Sequence, residues 1–248
     1  MDLNGIKEKF DRDGFVVIDN VFTEDQLDGL KKRMGEIVDG MNPDEHPKSV
    51  FSTYDEDKHA ADTYFLDSAD KIRFFYEEGS IGADGNLVVP KDRALNKVGH
   101  ALHWLDETFK TFTFHKNVKD IIANVGYVKP EVVQSMYIFK QPKIGGAVTD
   151  HIDGTFLQVN PIDHVMGVWI AVDEATQENG CLWFIPGSHK GSLVLIHGLV
   201  AHKSEPNTSE KSRHAYTFHI VDSNNTTWCA DNWLQPTETY KFPHLYEN

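Results

Sequence analysis

The chain has little of three features that define broad protein classes: cysteine, long apolar runs and positive charge. Its 248 residues include only two cysteines, Cys181 and Cys229, too few for a disulfide-built scaffold, which favours a reducing compartment. No apolar run approaches the roughly 18 residues that a membrane span requires. The 24 basic and 38 acidic side chains give a formal net charge of −14, which argues against non-specific binding of DNA or RNA. We therefore expect an intracellular protein, in the cytoplasm or the nucleus, that has neither nucleic acid nor a membrane as a partner.

Neither end of the sequence matches a secretory or a peroxisomal targeting signal. The first residues, 1–4, open a charged stretch without the apolar core of a secretory signal. The last four, 245–248, differ from the Ser-Lys-Leu type of peroxisomal address. The chain nevertheless has enough apolar material for a core, because 40% of its residues are hydrophobic and 11% are aromatic. This composition excludes wholesale disorder.

The first half of the chain has helical patterns around one short strand. Residues 4–12 predict an amphipathic helix, and Phe15–Ile18 is a continuous apolar run typical of a buried strand. Thr23 followed by Gln26 is a capping-box signature, and apolar residues at helical spacing extend the predicted helix over 23–39. The remaining expected elements are a loop over 40–62 and short helices near 103–110 and 117–125.

From residue 131 onward the pattern changes to short β-type runs between clusters of Gly, Pro, Asn and Asp. The expected strands are Val132–Phe139, Val165–Ala171, Cys181–Ile185, Ser192–His197 and Ala215–Val221. Such spacing is typical of an antiparallel sandwich or barrel. We therefore expect a mainly β fold with N-terminal helices in a single domain, 1–248. In it, a helical layer over roughly 1–125 would pack on a jelly-roll core over roughly 131–222.

One pair of side chains in the β-rich part has the geometry of a metal site. His151 and Asp153 are two residues apart, so in a strand both side chains leave the same face. Two imidazoles and one carboxylate on one face of an octahedron form the facial triad of non-haem Fe(II) oxygenases, which leaves the other positions open. The third ligand would come from another strand. A surface pair without a metal is the alternative interpretation.

The same pair belongs to a longer set of motifs that resembles the phytanoyl-CoA dioxygenase family. The stretches that carry the resemblance are 13–18 (DGFVVI), 151–154 (HIDG), 167–171 (GVWIA), 178–190 (ENGCLWFIPGSHK), 191–202 (GSLVLIHGLVAH) and 212–215 (SRHA). Together with the predicted helix after Thr23 they extend over nearly the whole chain. The resemblance implies a double-stranded β-helix, a cupin-like jelly roll that holds Fe(II) and uses 2-oxoglutarate and O2. It also allows ascorbate as a further reductant.

The resemblance further implies roles for individual residues. His151 and Asp153 would be the first two iron ligands, and His202 would be the third. His202 is preferred to His197 because Arg213 follows His202 by eleven positions, the offset at which the family places the arginine that binds the distal carboxylate of 2-oxoglutarate. A planar guanidinium suits a dicarboxylate. His197 is then a structural histidine at the end of an apolar strand.

Four other residues match positions of the co-substrate pocket. Ser204, two residues after His202, would assist the carboxylate of 2-oxoglutarate, and Lys97, Met136 and Trp169 would form other parts of the wall. Each of the last three has a structural alternative, which is solvation for the lysine and core packing for the other two. Three other histidines have no expected ligand role: His189, His214 and His219.

One departure from the family pattern lies between the second and third ligands. Asp153 and His202 are 49 positions apart, whereas family members place several tens of residues more between them. The difference falls where Lys190 runs directly into Gly191. The chain is either a genuinely shortened form, whose site would be open to solvent, or its sequence omits a loop. The intact motifs on both sides favour an omitted loop.

The resulting prediction is an Fe(II)- and 2-oxoglutarate-dependent dioxygenase that releases succinate and CO2 while it hydroxylates an organic substrate. Asp153 favours hydroxylation, because related halogenases lack this carboxylate. The acidic composition favours a small or methylated basic substrate, which hydroxylation would demethylate, over an acyl-CoA. Two alternatives are a β-barrel that binds metal and 2-oxoglutarate without turnover and a zinc hydrolase. The sequence identifies no protein partner.

Overall fold

A computed structural model describes residues 3–51, 63–184 and 192–248. Its strands, in chain order, are β1 Phe15–Ile18, β2 Ile72–Tyr76, β3 Leu95–His100, β4 Pro130–Ile138, β5 Val148–His151, β6 Val159–Asn160, β7 Val165–Ala171, β8 Leu193–His197, β9 His202–Ser204, β10 Ala215–Asp222 and β11 Thr227–Trp228. Within these described residues, no helix is long and apolar enough to cross a membrane.

Seven of the strands form one antiparallel sheet, which we call the large sheet. Its order is β1-β8-β7-β10-β4-β3-β2. Every residue of β7 and of β10 is buried, which explains why these strands read as continuous apolar runs in the sequence. The predicted strands that became β4, β7, β8 and β10 are confirmed within two residues. Strands β2 and β3 are additional, and they place parts of the first half of the chain in the same sheet.

The N-terminal helices begin and end at residues that the sequence marks clearly. Helix α1, Ile6–Asp13, ends before Gly14, whose φ of 73° is left-handed and favours glycine. Helix α2, Glu24–Gly40, begins after Thr23 with the predicted capping box: the Gln26 amide donates to Thr23 Oγ1, and the Thr23 amide donates to Gln26 Oε1. The expected helix over 23–39 is therefore confirmed.

The other helices are short, and one of them divides where a single helix was expected. The helix predicted near 103–110 is two helices, since Asp106 accepts from the amides of Thr108 and Phe109 and so caps a new helix. The helix near 117–125 is present. The elements are α3 Thr63–Leu66, α4 Lys91–Ala94, α5 Leu102–Leu105, α6 Glu107–Thr113 and α7 Lys116–Val125.

A second, two-stranded sheet consists of β5 and β9, and we call it the small sheet. The strand expected over Cys181–Ile185 is wrong for the residues that the structure describes. Leu182 makes a single bridge to Ser204, the next two residues turn, and Ile185 lies outside the described residues. The apolar run at this point instead packs as a loop, with Cys181 and Leu182 in a cluster around Trp169.

The two faces of the large sheet have different neighbours. Alternate side chains such as Val168, Ile170 and Leu195 pack in the main core together with residues of α1, α2, α6 and α7. Trp169 and Ile196 point to the other face, where they join the Leu182 cluster and line a cavity. The small sheet lies across the same cavity. This arrangement confirms the expected jelly roll with N-terminal helices.

Candidate active site

The three predicted metal ligands converge beside the small sheet. His151 ends β5, His202 begins β9, and the two residues lie opposite each other in the ladder. Asp153 begins the short 3-10 turn that follows. Oδ1 of Asp153 lies 3.7 Å from Nε2 of His151 and 3.9 Å from Nε2 of His202. The three ligand atoms lie within 4.8 Å of one another, so they can share one ion.

Backbone carbonyls orient both histidine rings toward that point. Nδ1 of His151 lies 2.9 Å from the carbonyl oxygen of Thr149, and Nδ1 of His202 lies 3.1 Å from that of Val200. Because a carbonyl can only accept, Nδ1 carries the proton in each ring and Nε2 keeps its lone pair. Metal-binding histidines are commonly fixed in this way. Burial also lowers the pKa of His202, which keeps it neutral and able to bind a metal.

A third histidine contacts the carboxylate of the triad. Nε2 of His219 lies 3.3 Å from Oδ2 of Asp153. Burial alone would raise the pKa of Asp153, but its histidine neighbours, His219 above all, lower it, so the carboxylate is ionised at neutral pH. Sequence reasoning gave His219 no role. The only available signal was its position in the last long strand. That position indicates a contact with the site only once the sheet order is known, which places β10 beside β7.

Arg213 lies buried just before β10, with donors that lack acceptors. Its Nη2 donates to the carbonyl oxygen of Gly180 at 3.0 Å. Its Nε and Nη1 are buried and have no partner among the residues that the structure describes. Burial lowers the pKa of Arg213 to about 10, so it is a cation at neutral pH. Buried unpaired donors on a cation are costly, and an anionic ligand such as a carboxylate would satisfy them.

The carbonyl of Gly180 also holds Ser204, whose Oγ donates to it at 2.7 Å. Gly180 has a φ of 78°, and a Cβ there would lie 2.5 Å from the carbonyl oxygen of Glu205. Only glycine therefore fits this backbone. The Glu-Asn-Gly-Cys stretch thus brings together the two side chains that the sequence assigned to the carboxylate of 2-oxoglutarate.

All eight predicted site residues line one cavity of about 450 Å³. They are Lys97, Met136, His151, Asp153, Trp169, His202, Ser204 and Arg213. The cavity opens between the large and the small sheet, so residues distant in sequence meet there. The structure brings the whole predicted set together, and their individual roles remain predictions.

Three of these residues had structural alternatives. Lys97 in β3 is only 7% exposed, and its Nζ lies 3.3 Å from the centre of the Phe51 ring, so a solvated lysine is wrong. Burial lowers the pKa of Lys97 to about 7.

Trp169 is both a core residue and part of the cavity wall. It packs in the Leu182 cluster, and the centre of its ring lies 5.2 Å from the guanidinium carbon of Arg213. Met136 borders the cavity from β4.

The residues present fit the cofactors that the resemblance implies. Two imidazole nitrogens and one carboxylate oxygen are the donor set of non-haem iron, with coordination positions left over. Among the described residues, the N–H groups of Arg213 that lack a partner suit the dicarboxylate co-substrate.

Two of the histidines without a predicted ligand role have structural contacts. The ring of His197 packs on Phe10 and accepts from the Leu199 amide, and His214 bonds to Tyr137. His189 lies outside the described residues.

Known proteins resemble this chain in sequence and in fold. A Caenorhabditis briggsae protein named phytanoyl-CoA dioxygenase domain-containing protein 1 homolog is 58% identical over 287 positions, which cover 99% of this chain and 100% of that protein. The Danio rerio protein named phytanoyl-CoA dioxygenase domain-containing protein 1 is 44% identical over 281 positions, covering 96% and 97%. The solved structure of SnoN, a non-heme alpha ketoglutarate dependent epimerase from nogalamycin biosynthesis, matches with a TM-score of 0.67 at 10% identity, over 98% of both chains. This last likeness concerns the fold alone.

The family comparison also locates the short join in the chain. The phytanoyl-CoA dioxygenase (PhyH) family matches residues 10–191 and 190–215 as two stretches, which meet at the join. The alignment with the Caenorhabditis briggsae protein has more positions than this chain has residues, so that relative contains residues without a counterpart here. The sequence of this chain runs directly from Lys190 to Gly191, so the two matched stretches meet without the residues that the relative contains. With both stretches matched, the chain belongs to the phytanoyl-CoA dioxygenase family of iron- and 2-oxoglutarate-dependent dioxygenases.

Proposed function

We propose that this chain couples the oxidative decarboxylation of 2-oxoglutarate, to succinate and CO2, to the hydroxylation of a small or medium organic substrate. The observation that carries the proposal is one cavity that contains both a His-Asp-His cluster and a buried arginine with unpaired donors. A zinc hydrolase would need the cluster but would have no use for the arginine.

One group of residues would bind the metal, and a second group would bind the co-substrate. His151, Asp153 and His202 would hold Fe(II). Arg213, supported by Ser204 through the shared Gly180 carbonyl, would bind the distal carboxylate of 2-oxoglutarate. When bound, the iron and 2-oxoglutarate supply the oxidising chemistry that hydroxylates a C–H bond.

The remaining wall residues position the co-substrate and limit the access of water. Lys97 adds a cation on the large-sheet side, and Met136 and Trp169 supply apolar walls. The part of the cavity beyond the triad has further apolar side chains, which include Phe156 and Leu157. A substrate with an apolar portion near the metal fits that lining, since burial of apolar surface favours its binding.

For the substrate class, we propose a methylated basic compound, whose hydroxylated methyl group would leave as formaldehyde. The net charge of −14 supports the approach of a cation, and Asp150 is an exposed carboxylate on the cavity rim. Succinate release with methylated amines, compared with acyl-CoA esters, tests this. Faster release with acyl-CoA esters would contradict the basic-substrate proposal and leave the cofactor chemistry intact.

The cofactor chemistry is tested by O2-dependent succinate formation from 2-oxoglutarate by iron-loaded protein prepared anaerobically. We expect turnover by the wild-type chain and its loss in Asp153→Ala. Asp163→Ala, which removes an exposed carboxylate outside the cavity, is the matched control and should behave as wild type. Wild-type turnover by Asp153→Ala would overturn the proposal. Tight binding of iron and 2-oxoglutarate without turnover of any substrate would instead support the non-catalytic barrel.

A further inference from the structure

We propose that His219 is a positioning residue for the metal site: it holds one oxygen of Asp153 so that only the other oxygen faces the metal. The inference rests on the proposed iron site. It adds to the three ligands a residue on the central strand of the large sheet.

The two oxygens of Asp153 have different neighbours. Oδ1 faces Nε2 of His151 at 3.7 Å and Nε2 of His202 at 3.9 Å. Oδ2 faces Nε2 of His219 at 3.3 Å. The first oxygen therefore lies among the metal donors, and the second is directed to a side chain outside the triad.

The hydrogen-bond partner of the other ring nitrogen favours a donor role for His219. Its Nδ1 lies 3.1 Å from the amide nitrogen of Gln134. An amide nitrogen can only donate, so Nδ1 accepts and Nε2 carries the proton. Nε2 then donates to Oδ2 of Asp153. The carboxylate on the other side of the ring can only accept, so it favours the same tautomer.

The sheet register explains why these groups meet. His219 in β10 lies opposite Gln134 in β4 and opposite Gly167 in β7. On the Gln134 side a side chain reaches the ring. Gly167, on the other side, has no side chain. A Cβ at that position would lie 3.0 Å from Oδ2 of Asp153 and 3.6 Å from Nε2 of His219, and it would crowd their contact. The missing side chain at Gly167 leaves room for the contact.

The consequence concerns the number of coordination positions. Asp153, His219 and Gln134 are each less than a tenth exposed, so water competes weakly for the bond. A carboxylate that bound the metal through both oxygens would occupy one of the positions that a facial triad leaves open. With Oδ2 bonded to His219, Asp153 would hold the metal through Oδ1 alone and would leave the open positions of the facial triad free for the co-substrates.

The test compares metal binding by three variants of the full chain. His219→Leu removes the donor, and His219→Gln restores an N–H at similar reach. His214→Leu is the matched control, because His214 is partly buried, precedes the same strand and bonds to a β4 side chain, Tyr137. Affinity for Fe(II) or Co(II) is measured by titration, and the visible absorption of the Co(II) protein reports the ligand geometry.

We expect His219→Leu to weaken metal binding by about 10- to 100-fold, the usual effect of losing such a partner, and to change the Co(II) spectrum. His219→Gln should recover most of the affinity and the wild-type spectrum, and His214→Leu should lower only thermal stability. Wild-type affinity and spectrum in a folded His219→Leu protein would overturn the inference while the iron site stands. If the wild-type chain bound neither metal, the proposed function itself would fail.

Discussion

The large and the small sheet differ in burial, in length and in what they contribute. In the large sheet, β7 and β10 are buried at every residue and each pairs on both sides. In the small sheet, β5 is four residues long, β9 is three, and no residue of β5 is fully buried. Both predicted histidine ligands belong to the small sheet. The large sheet supplies His219, which contacts Asp153.

The comparison predicts that stability and metal binding depend on different parts of this fold. Local opening requires least free energy where few apolar contacts are lost. The small sheet has few, so a metal that joins His151 to His202 would itself hold the two strands together. The large sheet is ordered by its own core and offers a fixed wall to the ligands. Four measurements test this division.

The largest effect is expected for Leu195→Ala in the large sheet. Leu195 is fully buried in β8, between Val16 of β1 and Val168 of β7. Its truncation should cost about 2–5 kcal/mol in free energy of unfolding, measured by urea titration, with metal affinity of the folded protein unchanged. Leu199→Ala, at an exposed leucine, should cost less than about 0.5 kcal/mol. If the folded Leu195→Ala protein also lost metal affinity, metal binding would depend on the core of the large sheet, which would contradict the division.

Hydrogen exchange should show the next largest effect, in the small sheet. Without metal, amides of β5 and β9 should exchange much faster than those of β7 and β10. A metal at about 100 times its Kd stabilises the bound form by about 2.7 kcal/mol, so exchange in β5 and β9 should slow about 100-fold if their opening breaks the site. Equally slow exchange of β5 and β7 in the metal-free protein would contradict the division.

Gly167→Ala should have a smaller effect, confined to metal binding. The added Cβ would lie 3.0 Å from Oδ2 of Asp153, so the carboxylate must move, and we expect about a 10-fold weaker metal affinity by titration. Gly35→Ala in α2, where a Cβ meets nothing within 4 Å, should leave metal affinity unchanged and stabilise the helix slightly. Equal metal affinity in both variants would show that the carboxylate has room to move.

The smallest effect, a few-fold change in 2-oxoglutarate affinity, is expected at Lys97. Burial lowers the pKa of Lys97 to about 7, so its ammonium form is lost as the pH rises through 7, and binding of a dianion should weaken from about pH 6 to 8. Calorimetry with Lys97→Met should give weaker binding and a flatter pH dependence. Lys116→Met, at an exposed helix position, should follow the wild type. The same pH dependence in Lys97→Met would assign it to another group.

The sequence predicts the elements whose pattern is local. Val165–Ala171 was predicted with its observed bounds, and the capping box at Thr23 defined the start of α2. Strand β3 was missed because Lys97 and Gly99 interrupt its apolar pattern where it borders the cavity. In the site, motif order located the triad and Arg213. His219 was missed because its role depends on which strands lie beside β10, and spacing along the chain does not contain that information.

At the join between Lys190 and Gly191 this chain lacks residues that its longer relatives contain. Two of the predicted ligands precede the join and the third follows it, together with Arg213, yet all of them reach the same cavity. Strand β8 begins two residues after the join and pairs with both of its neighbours. The predicted cofactor-binding residues therefore come together in one cavity without the segment that the relatives contain. A chimera that adds the Caenorhabditis briggsae segment would isolate, in one protein background, what that segment contributes to substrate choice and coupling.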